Sequence, residues 1–218
     1  MILERLIEID QTWLLAINGA HAPWLDQVCW YISQAWLWIP LYAVLISLLV
    51  WKFGWRKGLL FVLALVVAAG LSDYISSGII KHLVCRPRPT HEPALAGLVH
   101  VVNGYVGGQY GFVSSHAANT MSVAMLFALI WQQKNNHGWW LLIYVAVNCY
   151  SRMYLGVHYL GDILGGLLVG ALMAALVYVV LRVVGLVEVA APCQSRATAG
   201  TTPPASADRA DGHQPDDS

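Results

Sequence analysis

Charge is what this sequence has least of. Only 12 Lys and Arg and 12 Asp and Glu occur among its 218 residues, 11% in all, where a water-soluble domain carries about 25%. So thin a supply excludes a fold that solvates its whole surface, and much of the chain must face lipid. The two signs cancel to a formal net charge of zero, so global electrostatics argue for no nucleic-acid partner. Cysteine is sparse as well. Cys29, Cys85, Cys149 and Cys193 form no close pair, which gives no disulfide framework and no thiolate metal spacing; they read as small buried hydrophobes. The first residues lack the unbroken apolar core of a cleavable signal peptide, because Glu4, Arg5, Glu8 and Asp10 interrupt them. No internal repeat is visible.

What is abundant is apolar. The chain is 58% hydrophobic with a mean hydropathy of +0.58. Ten Trp and ten Tyr suit the headgroup level of a bilayer, where amphipathic rings collect. Residues 1–20 carry Leu3, Leu6, Ile7, Trp13, Leu14 and Ile17 at helical spacing with charges between them, which predicts an amphipathic helix lying in the interface. A helix needs about 20 apolar residues to cross hydrocarbon. Stretches near 29–51, 58–80, 116–133 and 162–186 qualify, and a shorter one near 138–154 completes the set. The expected fold class is therefore all-α, a polytopic membrane helical bundle with about five transmembrane helices plus the N-terminal amphipathic helix. Residues 21–187 form the membrane domain. Residues 188–218 turn abruptly to Ala, Thr, Ser, Pro and Asp and are expected to be disordered. The pairs Gly161–Gly165 and Gly166–Gly170 permit close helix packing.

Three polar clusters interrupt the apolar pattern: Lys81 with Arg86 and Arg88, then Ser114-Ser115-His116, then Ser151-Arg152 with His158 and Asp162. Ionisable groups at bilayer depth are costly and rare unless they have a task. His158 and Asp162 lie four apart, one turn along a helix face. A carboxylate on one imidazole nitrogen leaves the other free as nucleophile or base. The plainer reading is an N-capping Asp162 beside an interfacial His. A metal site would need more carboxylates or imidazoles, and the surrounding surplus is cationic. Arg88 and Arg152 offer planar donors for phosphate oxygens and Lys81 a point charge, although a terminal Lys also snorkels to headgroups. Ser114 and Ser115 suit a helix N-cap, and that same geometry offers backbone N–H groups to an anion. His116 beside it is placed to protonate a leaving alkoxide.

Lys81-x6-Arg88-Pro89, Ser114-Ser115-His116 and Ser151-Arg152-x5-His158-x3-Asp162 together resemble the three-part signature of the type 2 phosphatidic acid phosphatase superfamily, in its bacterial membrane branch. The match spans most of residues 25–185. The resemblance implies that Lys81, Arg88 and Arg152 bind phosphate with help from Ser114 and Ser115. It implies that His158 is a nucleophile that becomes phosphorylated, that Asp162 orients it, and that His116 protonates the leaving alcohol. It calls for no metal and no cofactor. The second motif departs from the family's usual Pro-Ser-Gly-His, since Val113 and Ser115 replace the residues that restrict φ and that permit positive φ. Arg86 lies off the motif positions and reads as auxiliary or interfacial.

The expected function is hydrolysis of a lipid-linked phosphate or diphosphate in the bilayer. Undecaprenyl diphosphate, phosphatidate, phosphatidylglycerol phosphate and lipid A are the substrates the resemblance offers. A phosphotransferase using the same site, or a non-catalytic binder of anionic lipid, are the alternatives. Alternation of the spans puts Lys81, His116, Arg152 and His158 on one face. Lys52, Arg56, Lys57, Lys134 and Arg182 fall on the other, which the positive-inside rule makes cytoplasmic. The site is then expected to face the periplasm or exterior of a bacterial inner membrane. Oligomeric state is not legible.

Overall fold

The computed structural model describes residues 2–132 and 138–187, and Lys134 and the segment 188–218 lie outside them. Among the described residues the chain is helical, without a β-sheet. Helix α1 (Ile2–Gly19) is followed by α2 (Pro23–Ile32), α3 (Ile39–Phe53) and α4 (Trp55–Asp73). A π-helical stretch, Tyr74–Ile80, carries α4 without a break into the short α5 (Lys81–Val84). After a long loop come α6 (Ser115–Trp131), α7 (Leu141–Tyr154) and α8 (Leu160–Val183). Three stretches are long and apolar enough to cross a membrane: Ala35–Phe53, Trp55–Val84 and Leu160–Val183. The shorter α6 and α7 run beside them.

Two expected boundaries move. The span placed at 29–51 is broken at Ser33-Gln34. The Ser33 hydroxyl donates to the Trp30 carbonyl at 2.7 Å and the Trp38 indole to that of Ile32 at 2.8 Å. Pro40 then opens α3 from its first turn, where its missing N–H is unneeded. The second span runs past residue 80 to Val84, which puts Lys81 in the last turn of a continuous helical rod.

Helix α6 is the centre of the bundle, packed against α8, α4 and α7. Ala117, Ala118, Ala124, Leu126, Phe127, Ala128 and Ile130 along it are buried. Its approach to α8 depends on small residues. A Cβ at Gly166 would run into the Ser114 carbonyl, and one at Gly170 into that of Ala118. The expected glycine packing is thus the α6–α8 seam, and it brings the second and third polar clusters side by side. At the far end of α6, Lys52 Nζ donates to the Trp131 carbonyl at 3.0 Å and sits 3.5 Å over its ring. The α3–α4 turn and the C-terminus of α6 therefore share one end of the bundle, and the polar clusters take the other.

The loop 85–114 is tied down rather than draped. Asn18 on α1 donates to the carbonyls of His100 (2.9 Å) and Tyr154 (2.7 Å) and accepts from His100 N–H (2.7 Å). Asp26 on α2 receives the Tyr154 hydroxyl at 2.6 Å and faces His100 Nε2 at 3.0 Å. Val102 packs with Cys29, Tyr154, Leu155 and Val157. These contacts decide where the loop's side chains can reach.

Candidate active site

The first cluster is held by a short pairing of the loop with itself. Arg88 N–H donates to the Gln109 carbonyl (3.0 Å) and Gly111 N–H to that of Arg86 (2.9 Å). Arg88 is buried. Its Nε donates to the Tyr110 carbonyl at 3.1 Å, whereas its Nη1 has no partner among the described residues. Burial and the neighbouring Arg152 charge both press its pKa below the ordinary value. Gly107 has φ +68°, and a Cβ there would strike Arg88 Nη1. From the helical rod, Lys81 Nζ reaches Ser115 Oγ at 3.3 Å.

In the second cluster the two serines divide the work. Ser114 is fully buried and caps α6, its hydroxyl accepting from Ala117 N–H at 3.5 Å. Its own N–H donates to the Asp162 carbonyl at 2.9 Å. The structural role therefore falls to Ser114, and Ser115 is the serine that faces a cation. His116 follows in the first turn, half-buried, with Arg152, His158, Lys81 and Arg88 as its electrostatic neighbours.

The third cluster spans the turn from α7 to α8. Arg152 is 2% exposed. Its Nη2 donates to the Tyr105 hydroxyl at 2.9 Å, while Nε has no partner among the described residues. Burial pushes the Tyr105 phenol up, but the charges of Arg152 and Arg88 outweigh it and bring the phenol below its ordinary pKa. His158, wholly buried, has Nδ1 3.4 Å from Asp162 Oδ2, longer than an ordinary hydrogen bond of about 3 Å. An ionised carboxylate can only accept, so Nδ1 carries the proton and the Nε2 lone pair is left free. Nε2 has no partner among the described residues. Burial, then Arg88, Arg152 and Lys81, hold this imidazole well below its usual pKa and therefore neutral.

Asp162 serves the capping and the orienting roles together. Oδ2 also accepts from Tyr159 N–H at 3.1 Å, closing a capping box at the start of α8. Oδ1 accepts from Arg86 Nη1 at 3.0 Å. Arg86, read from the sequence as auxiliary or interfacial, is the cation behind the His–Asp pair. It stacks on the Tyr159 ring at 4.0 Å, and its Nη2 donates to Asp10 Oδ2 at 2.8 Å. Asp10 Oδ1 in turn accepts from Gly161 N–H at 2.8 Å. Asp10 and Tyr105 are the site residues that sequence reasoning did not single out. The interrupted polarity of α1 was the available signal for Asp10, and it pointed only to amphipathicity.

The model of one family, the PAP2 superfamily, matches residues 57–185. The chain belongs to the PAP2 superfamily. It is 34% identical over 170 residues to a lipid A 4'-phosphatase of Bacteroides thetaiotaomicron, covering 76% of this chain and 73% of that one. It is 31% identical over 157 residues to the undecaprenyl-diphosphatase BcrC of Bacillus subtilis, covering 69% and 72%. The crystal structure of a transmembrane PAP2-type phosphatidylglycerolphosphate phosphatase from Bacillus subtilis superposes with a TM-score of 0.62 over 83% of this chain and 88% of that one, at 23% identity. That likeness speaks for the fold alone. Like its relatives, this PAP2 chain is a phosphatase of the lipid-phosphate class and an integral membrane protein.

Proposed function

We propose that this enzyme hydrolyses a lipid-linked phosphate through a phosphohistidine on His158, without a metal. One observation carries the reading. Arg88 Nη1, Arg152 Nε and His158 Nε2 are buried polar atoms without partners among the described residues, and Arg88, Arg152 and Lys81 all act electrostatically on His158. Three mutually repelling cations around a neutral imidazole are an unfavourable arrangement until an anion joins them. A phosphate supplies oxygen acceptors for the two guanidinium groups and an electrophilic phosphorus for the Nε2 lone pair.

In this mechanism Nε2 of His158 attacks phosphorus in line, forming a P–N bond as the P–O bond to the lipid alcohol breaks. His116 gives its proton to the departing oxygen. Lys81, Arg88, Arg152 and Ser115 hold the equatorial oxygens, where charge accumulates. His116 then takes a proton from water as that water attacks phosphorus, forming a P–O bond while the P–N bond breaks, which releases inorganic phosphate and frees His158. Asp162 keeps the proton on Nδ1, and Ser114 acts on phosphate only through the helix terminus it caps. Among the described residues no three His, Cys, Asp or Glu side chains converge as a ligand set, and the cationic wall repels a divalent ion.

The lipid A phosphatase relatives favour a phosphorylated glycolipid, and the BcrC likeness keeps a prenyl diphosphate as the second reading. The cationic turn around Lys52, Arg56 and Lys57 supports a cytoplasmic position for that end, which puts the site at the outer face of a bacterial inner membrane. The purified enzyme should release phosphate from a lipid phosphate in the presence of a chelator. His158→Ala should lose at least about 10⁴-fold of that rate while still inserting into membranes. Acid-labile ³²P trapped on the wild-type chain but not on the variant locates the intermediate. Substantial activity in His158→Ala would exclude this nucleophile.

A further inference from the structure

We propose that the lipid part of the substrate lies in the groove bounded by α3, α4 and α6, and that Asp73 and Asn119 at its mouth select an uncharged, hydroxyl-bearing headgroup over a second phosphate. The inference rests on the phosphohistidine reading and deepens it.

In-line displacement fixes the side on which the leaving group departs. The nucleophile and the leaving oxygen stand on opposite sides of phosphorus. Behind His158 lie Asp162, Arg86 and Asp10, with an apolar cavity of about 540 Å³ between α1 and α8, lined by Leu6, Ile7 and Leu164 among others. That cavity is on the nucleophile's side, where a leaving group cannot go. His116 marks the opposite side. Asn119 and Val123 follow it at three and seven residues, on the same face of α6. Both line a cavity of about 450 Å³ whose α4 wall is built from Val62, Val66 and Ala69 and whose α3 wall is built from Tyr42, Leu45 and Ile46. One turn beyond Ala69 on that stripe is Asp73. A chain leaving His116 therefore meets Asn119 first and aliphatic wall next.

The mouth of this groove is polar in a way the catalytic mechanism does not use. Asp73 is an exposed carboxylate inside the candidate span Trp55–Val84, a costly position for a charge. It accepts from Asn119 Nδ2 at 3.2 Å and lies within electrostatic reach of Lys81. Asn119 Oδ1 is buried and has no partner among the described residues. The π-helical stretch that starts immediately after Asp73 is a departure that recurs at functional sites. A sugar or glycerol headgroup can donate a hydroxyl to Asn119 Oδ1 and to the free oxygen of Asp73. A prenyl diphosphate instead leaves as an anionic monophosphate, which the Asp73 carboxylate repels. The pair thus rewards one substrate class and rejects another, the usual construction of specificity.

Two measurements test this. Wild-type enzyme in vesicles is irradiated with a non-hydrolysable lipid phosphonate carrying a diazirine in its acyl chain, and the adducts are mapped. Adducts on peptides containing Val62, Val66 or Val123 are expected. Adducts confined to Leu6, Ile7 and Leu164, or shared equally between the two grooves, overturn the assignment. Separately, kcat/KM is measured on a phosphorylated glycolipid and on a prenyl diphosphate. Asn119→Leu should lower the glycolipid-to-prenyl ratio about tenfold, the loss of one buried hydrogen bond, and Asp73→Asn should move it the same way by relieving the repulsion. An unchanged or rising ratio in both variants overturns the selection. A failure of the phosphohistidine reading would appear instead as retained activity in His158→Ala, whatever these ratios do.

Discussion

The wall behind His158 and the wall in front of it are built on opposite principles. Behind, Asp162 accepts from Tyr159 N–H and Arg86, Arg86 bridges to Asp10, and Asp10 is fixed by Gly161 N–H. In front, Arg88 Nη1, Arg152 Nε and His158 Nε2 are buried without partners among the described residues. The rear wall is complete in the protein alone and sets the tautomer and aim of the proposed nucleophile before substrate arrives. The front wall is two guanidinium donors whose acceptors must be brought by the substrate, and between them a lone pair on Nε2 that only an electrophile can engage. Preorganisation and substrate binding are thus assigned to separate faces of one imidazole.

Breaking the rear wall at its centre should have the largest effect. Asp162→Asn replaces an acceptor by a group that donates to Nδ1, which turns the free lone pair away from phosphorus. A loss of about 10⁴-fold in kcat is expected by analogy with other carboxylate–histidine pairs, with little change in KM because the front wall is untouched. A loss seen mainly in KM would show that Asp162 serves substrate binding instead. One step further back, Arg86→Ala should lower kcat by roughly 10–100-fold, the range for a group that orients a ligand's partner. Arg86→Lys should recover part of it, since Lys can meet Asp162 but not fork to Asp10 as well. Equal losses in Ala and Lys variants would tie the effect to the bidentate geometry rather than to charge.

The same contrast explains what the sequence made legible. Charge is so scarce in this chain that each polar cluster at a helix end stood out, and the spacing of His158 and Asp162 placed them on one helical turn. The glycine pairs of α8 pointed to close contacts: Gly166–Gly170 makes the α6–α8 seam, whereas Gly161 meets Asp10 and Gly165 meets Phe112 and Val113. The sequence could not decide between an auxiliary and an interfacial Arg86 because both of its partners are 76 positions away. Pairings at that distance are made by tertiary packing, which leaves no periodic trace. Tyr105, 47 positions from Arg152, was lost for the same reason. The break at Ser33-Gln34 was hidden by the apolar run around it, although Pro40 marked the restart of the helix. Ser114 and Ser115 could not be told apart until the helix start was placed between them.

The smallest effect sharpens the comparison from the side of stability. His158 is neutral in the folded protein because burial and then the front-wall cations depress its pKa well below the ordinary histidine value of about 6.5, whereas in the unfolded chain it titrates near that value. The unfolded state therefore binds the extra proton first as pH falls. Stability conferred by the neutral imidazole is fully present above pH 6.5 and is lost as pH drops toward the depressed folded pKa, at up to about 1.4 kcal/mol per pH unit. Thermal unfolding in detergent should thus show a Tm that falls between pH 6.5 and 5 in the wild type and falls less in His158→Gln. Adding inorganic phosphate should raise Tm in the wild type across this range by giving the front wall its acceptors. If the two proteins lose stability in parallel on acidification, the buried imidazole is not the group that titrates, and the cations in front of it press on it less than their placement implies.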